Sequence, residues 1–216
     1  RPAIRKDFLP AAGIFVGMLL LVPFLSVLSV RFTSDDWYLM DEGTVLYTAF
    51  RSSLGAPPHI DGPYYYSGGL EVLLGSVFSL FGSTFAVARW TLGVNMGATA
   101  SIVYLLCTRL SIDRATGAIL AVAITAVGYA MNFHVYPAWF ATTLLLIAVL
   151  LMWQGVQNRN TLTLIATGFC LGAASALKQT AGLYGLFAFT LFTLIVGSHL
   201  RPTITTPHGS HRVNLW

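Results

Sequence analysis

The sequence predicts an all-α polytopic membrane protein, with about six transmembrane helices and a first extracytoplasmic loop carrying interfacial helices. Three observations lead there. The chain of 216 residues is 56% hydrophobic and only 9% charged, against roughly 25% charge in soluble domains. Its mean hydropathy is +0.72. Its polar residues are concentrated: six of the eight acidic residues, Asp35, Asp36, Asp41, Glu42, Asp61 and Glu71, fall between Thr33 and Glu71. Carboxylates crowded beside apolar runs are costly unless they serve a task.

Taken in order, Leu9 to Val30 is free of charge and long enough to cross a hydrocarbon core. Arg1, Arg5 and Lys6 precede it, and no small-residue cleavage site follows before Arg31, so it reads as a retained first span rather than a signal peptide. Thr33 to Gly55 reads as a helix outside the membrane, with Ser34, Asp35 and Asp36 as cap candidates and Gly55, Pro57 and Pro58 as its stop. Trp37, Met40, Thr44, Tyr47, Arg51 and Leu54 fall on one face, suited to the interface. An irregular Pro/Gly/Tyr stretch, Ala56 to Gly69, follows.

Leu70 to Phe81 decides the topology. A dozen residues of helix rise only about 18 Å, and Glu71, Gly75 and Ser79 share one side opposite the apolar members. An interfacial helix is expected there. Further spans are expected over Phe85–Leu106, Ala115–Met131, Pro137–Trp153, Thr161–Leu177 and Ala181–Gly197. If Leu70 to Phe81 stays in one leaflet, Arg1, Arg5, Lys6, Arg109, Arg114, Arg159, Arg201 and Arg212 face the cytoplasm, and Arg31, Arg51, Arg89 and Lys178 face outside. If it crosses, the inside keeps five basic residues against seven outside. The positive-inside bias selects the first arrangement. Residues 1–198 then form one transmembrane module, with 31–84 as the extracytoplasmic acidic loop and 199–216 as a polar, irregular cytoplasmic tail.

Composition also excludes classes of function. No basic patch with interleaved aromatics suggests nucleic acid, and no phosphate-binding glycine loop, zinc-ligand spacing or serine-nucleophile context is present. Cys107 and Cys170 lie in apolar runs and read as small buried hydrophobes. A transporter would line its spans with charge at mid-membrane, whereas these charges gather at one interface. The adjacent acids Asp41 and Glu42 could deprotonate an acceptor, hold a divalent cation beside a phosphate, or solvate a loop. Lys178 and Arg89 fall at the same membrane face, and a lone histidine such as His134 is more often structural than functional.

Several pieces in order resemble one family. Asp41-Glu42-Gly43 with Tyr47 follows the first span, and Gly55-Ala56-Pro57-Pro58-His59-Ile60-Asp61 is similar to a G-x-x-P-x-x-D turn. Tyr64-Tyr65-Tyr66, Leu80-Phe81-Gly82, Ala86-Val87-Ala88-Arg89 and Ala176-Leu177-Lys178-Gln179-Thr180-Ala181-Gly182-Leu183 continue the likeness. Together they resemble the N-terminal half of GT-C membrane glycosyltransferases, of the dolichyl-phosphate-mannose protein mannosyltransferase and aminoarabinose transferase type. That resemblance implies transfer of a sugar from a polyprenyl-phosphate carrier to an acceptor at the outer face of a bacterial inner membrane, among membrane lipids. It makes Asp41 the base, Glu42 its partner in orientation or metal binding, and Asp61, Tyr64, Tyr65, Arg89, His134 and Lys178 substrate-binding residues. A divalent cation, held by Asp41 and Glu42, is the one cofactor it leaves open. The sequence departs from the family between Asn132 and Ala141, where a second carboxylate is usual and His134 stands instead. The alternative is a catalytically inactive or truncated relative that binds a lipid-linked sugar or a partner.

Overall fold

The computed structural model describes residues 13, 14, 16–18, 21, 39–60, 66–130, 134–199, 203–206 and 209–212. The described residues between 13 and 21 are helical. Seven helices follow: α1 (Leu39–Ser53), α2 (Gly69–Phe81), α3 (Phe85–Arg109), α4 (Arg114–Ala130), α5 (Pro137–Asn158), α6 (Thr161–Leu177) and α7 (Gln179–His199). The cap candidates Ser34 to Asp36, with Trp37, lie outside the described residues.

Local chemistry explains the boundaries. The Thr84 side chain accepts from the Val87 N–H at 3.3 Å and opens α3. Asp113 accepts from the Thr116 N–H at 3.0 Å at the head of α4, and these bonds hold its exposed carboxyl below the usual range. Pro137 occupies the first turn of α5, where its missing N–H costs nothing. Arg159 ends α5 in the left-handed region, and Asn160 caps α6 through Leu162 and Thr163 N–H groups. These ends fall within a few residues of the expected ones, except that α5 runs five residues beyond Trp153 before Arg159 closes it.

Short links turn the helices back on one another. Gly117 of α4 meets Tyr104 and Cys107 of α3, and Gly155 of α5 meets Leu164 of α6. Across the single-residue link at Lys178, Gly182 lies against Ser175 and Gly185 against Leu171, the register of an antiparallel pair. A Thr99–Thr143 hydroxyl bond of 2.7 Å joins α3 to α5. Helices α3, α5 and α7 therefore begin at the end where α4 and α6 finish. Met18 joins Ala100, Val103, Tyr104, Cys107 and Ala121 in a packed cluster, docking the N-terminal helix against α3 and α4. Helices α3 and α5 are long and apolar enough to cross a membrane; α2, α4, α6 and α7 contribute shorter apolar stretches.

The orientation of α2 differs from expectation. Its Glu71, Gly75 and Ser79 side is covered by α1: a Cβ on Gly75 would meet Ser52 at 2.8 Å, and the Ser79 hydroxyl reaches the Ser53 carbonyl at 3.5 Å. Glu71 is fully buried, while Val72, Leu73, Leu80 and Phe81 are exposed. The small residues on the supposed polar side admit the neighbouring backbone, so that side became an interface. The tail differs too. Thr203–Thr206 pairs antiparallel with Gly209–Arg212, Thr203 opposite Arg212, as the β-branched Thr203-Ile204-Thr205-Thr206 run favours.

Candidate active site

The site lies where the first turns of α1, α2, α3 and α5 meet the α6–α7 link. Glu42 is its fixed centre, only 3% exposed. Its Oε2 lies 2.6 Å from Arg89 Nη2, and its Oε1 accepts from the Val135 N–H at 2.8 Å. One carboxylate thus joins α1 to the head of α3 and to the segment entering α5. Arg89 is 13% exposed and sits 4.9 Å above the Phe85 ring. Burial pushes the Glu42 carboxyl up, and the Val135 N–H and the Arg89 charge oppose that rise.

Asp41, one residue earlier, is turned the other way and is exposed. Adjacent helical positions diverge by about 100°, so one acid of the pair serves packing and the other faces solvent. Asp41 acts electrostatically on Tyr66 and on His134. His134 is buried; desolvation pushes its imidazole below the ordinary range, Arg89 adds to that, and Asp41 works against it. The neutral imidazole is favoured.

Aromatic residues complete the wall. The Tyr66 and Tyr136 rings meet edge to face at 5.6 Å, and His134 lies tilted to Tyr136 at 5.4 Å. Lys178 Nζ sits 4.9 Å from the Tyr136 ring centroid, a cation–π contact. Burial first, then a hydrogen bond to Tyr136 and the charges of Asp41 and Glu71, push the Tyr66 hydroxyl well up, keeping it protonated. The Tyr66 segment is pinned to the end of α6: the Ser67 hydroxyl donates to the Ser175 carbonyl at 3.2 Å, and Gly69 lies so close to the Ala176 carbonyl that no Cβ fits. Gly68, at φ 84°, supplies the left-handed turn before α2.

Of the residues the sequence singled out, Asp41, Glu42, Arg89, His134 and Lys178 come together. Asp61, Tyr64 and Tyr65 lie outside the described residues. Three participants were missed. Glu71 reads in the sequence as one of the side opposite the apolar members of the helix; its burial goes with Gly75, which lets α1 approach that side. Tyr66 enters the sequence reading only as part of the Tyr64–Tyr66 likeness, and Tyr136 is not singled out there. As a cation site the acidic pair fits poorly, because both Glu42 oxygens are engaged by Arg89 and Val135. Among the described residues no group of three or more His, Cys, Asp or Glu side chains is placed to hold a metal.

The family model for dolichyl-phosphate-mannose-protein mannosyltransferases matches residues 70–213, most of the chain and everything from α2 onward. The chain belongs to this family. The matched region carries Arg89, His134, Tyr136 and Lys178; Asp41 and Glu42 precede it and are tied to it by the Glu42 contacts. No curated protein and no solved structure matches the chain. Membership brings membrane glycosyltransferase chemistry of the GT-C type, with a lipid-linked sugar donor in general terms, and agrees with the two membrane-length helices.

Proposed function

We propose that the chain carries the catalytic face of a glycosyltransferase that moves a sugar from a polyprenyl-phosphate carrier to an acceptor at the outer face of the membrane. The observation that carries this reading is the division of the acidic pair: Glu42 locked between Arg89 and Val135, and Asp41 exposed beside it. A base must reach substrate, and a fixed neighbour must hold it in place. Asp41 takes the proton of the acceptor hydroxyl or amine as that atom bonds to the anomeric carbon. The bond from that carbon to the phosphate oxygen breaks, and the polyprenyl phosphate leaves with the electron pair. Lys178 is the cation placed to meet the phosphate charge, and Glu42 is a positioning residue. No step is routed through a metal, since the pair leaves only Asp41 to bind one.

The same reading takes α3 to α7 and the N-terminal helix as six crossings. In it α1 and α2 lie at the outer interface, their exposed Tyr47, Phe50, Leu54, Leu73, Leu80 and Phe81 in contact with lipid. Arg109, Arg114 and Arg159 then fall at the opposite, cytoplasmic end, in the sense the charge bias requires.

The test is reconstitution of the chain with a polyprenyl-phosphate sugar and an acceptor, comparing wild type with Asp41→Asn. Loss of transfer by on the order of 100-fold or more is expected for a general base. Equal, background-level transfer by both would instead select the second reading, a non-catalytic relative that binds the lipid-linked sugar. The missing carboxylate between Asn132 and Ala141 favours that second reading.

A further inference from the structure

Tyr136 is the residue on which the other site groups converge. It stands one residue after Val135, whose N–H is held by Glu42, and caps α5 in extended conformation immediately before Pro137. A residue preceding proline is confined to that conformation, so the backbone beneath the ring is fixed from both sides. Three side chains then meet the ring: Tyr66 edge-on at 5.6 Å, His134 at 5.4 Å and the Lys178 ammonium at 4.9 Å. Tyr136 is half-buried. Burial first, then the neighbouring Tyr136 and the charges of Asp41 and Glu71, keep the Tyr66 hydroxyl protonated beside it. The Tyr136 hydroxyl offers one donor proton and an accepting oxygen to whatever enters the site.

We propose that Tyr136, with Lys178 carried on its ring, is a substrate-contacting unit of this site, its hydroxyl donating to an oxygen of the lipid-linked sugar. The inference rests on the glycosyltransferase reading for the identity of the ligand. It assigns sugar recognition to the segment entering α5, alongside the acidic pair of α1. The ring supports the ammonium, and the hydroxyl reads the sugar.

The experiment is a double-mutant cycle on the detergent-solubilised full chain. Binding of a short-chain polyprenyl-phosphate sugar is measured for wild type, Tyr136→Phe, Tyr136→Leu, Lys178→Ala and the Tyr136→Leu/Lys178→Ala pair, and transfer is measured in parallel. Tyr136→Phe keeps the ring and loses only the hydroxyl, so affinity should fall about five- to tenfold, the worth of one hydrogen bond. Transfer at subsaturating donor should fall by a similar factor, because weaker donor binding lowers kcat/KM. Tyr136→Leu should bind more weakly still, and adding Lys178→Ala to it should change little, because the ammonium has lost its support. Wild-type affinity in Tyr136→Phe, or fully independent losses in the cycle, overturns the proposal. A wild type that binds without transferring overturns the catalytic reading alone and leaves the cycle to decide Tyr136. A wild type that does not bind the donor overturns both.

Discussion

Replacing Glu42 by Ala should cost far more than an exposed carboxylate normally does, and the cost should vanish in part when Arg89 is removed with it. The side chain makes two contacts inside a buried setting: 2.6 Å to Arg89 and 2.8 Å to the Val135 N–H. Both charged partners are largely shielded, at 3% and 13% exposure, so solvent screening takes little off the effect. Breaking such a pair from one side leaves the other charge uncompensated, a penalty of about 3–5 kcal/mol. Leaving the Val135 N–H without its acceptor adds about 1–3 kcal/mol. Glu42→Gln can still accept from Val135, so it should lose only the charge component and fall between Ala and wild type. The double variant Glu42→Gln/Arg89→Gln removes both charges and should recover a substantial part of the loss, because a buried ion pair contributes little beyond the cost of desolvating it. Denaturant or thermal unfolding in detergent micelles gives the four corners of the cycle. Additive losses, or a Glu42→Ala variant within about 0.5 kcal/mol of wild type, would refute the view that this carboxylate holds three segments together.

Two further outcomes follow from the same region. Gly69→Val places a side chain on the Ala176 carbonyl and must lift α2 from α6. Unfolding should show a loss of about 1–3 kcal/mol, whereas Gly43→Ala, with nothing within 4 Å, should stabilise by about 0.5–1 kcal/mol. His134 gives a pH dependence: its imidazole lies below the ordinary 6.5, with Arg89, Asp41 and Tyr136 facing it. The unfolded chain therefore takes up the proton first as pH falls, so the His134 contribution is complete above about pH 6.5 and is lost from there down through the lowered folded value. The raised Glu42 carboxyl slopes the opposite way, its contribution declining as pH rises from 4.5 to the folded value. Melting curves between pH 5 and 7.5 should show an acid-side loss that His134→Asn abolishes; superimposable profiles for the two would contradict it.

The parts of the fold that were legible are those with local causes. Pro137 and Asn160 announce the starts of α5 and α6 by their own chemistry, and the predicted Thr161–Leu177 matches α6 at both ends. Arg89 and Lys178 stood out because a charge in an apolar run needs a reason. The hidden parts depend on tertiary approach. The acceptor for Glu42 is a backbone N–H, which no residue type reveals. The Glu71, Gly75 and Ser79 side of α2 is buried because Gly75 lets Ser52 and the Ala49 carbonyl come close, and periodicity cannot distinguish a polar face from a small-residue contact. Tyr136 looked like one aromatic among many; its role comes from partners at positions 66 and 178.

The Glu42 contacts also impose an order of assembly. Arg89 lies 47 residues further along the chain and Val135 lies 93. As the chain leaves the ribosome, the carboxylate is made long before either partner and must wait in water. It can enter the protein only after α3 has arrived, and it is fully satisfied only once the head of α5 is in place. Closure of the acidic loop therefore waits for the head of α5, and Asp41 acquires its final setting only after the chain through α4 has been made.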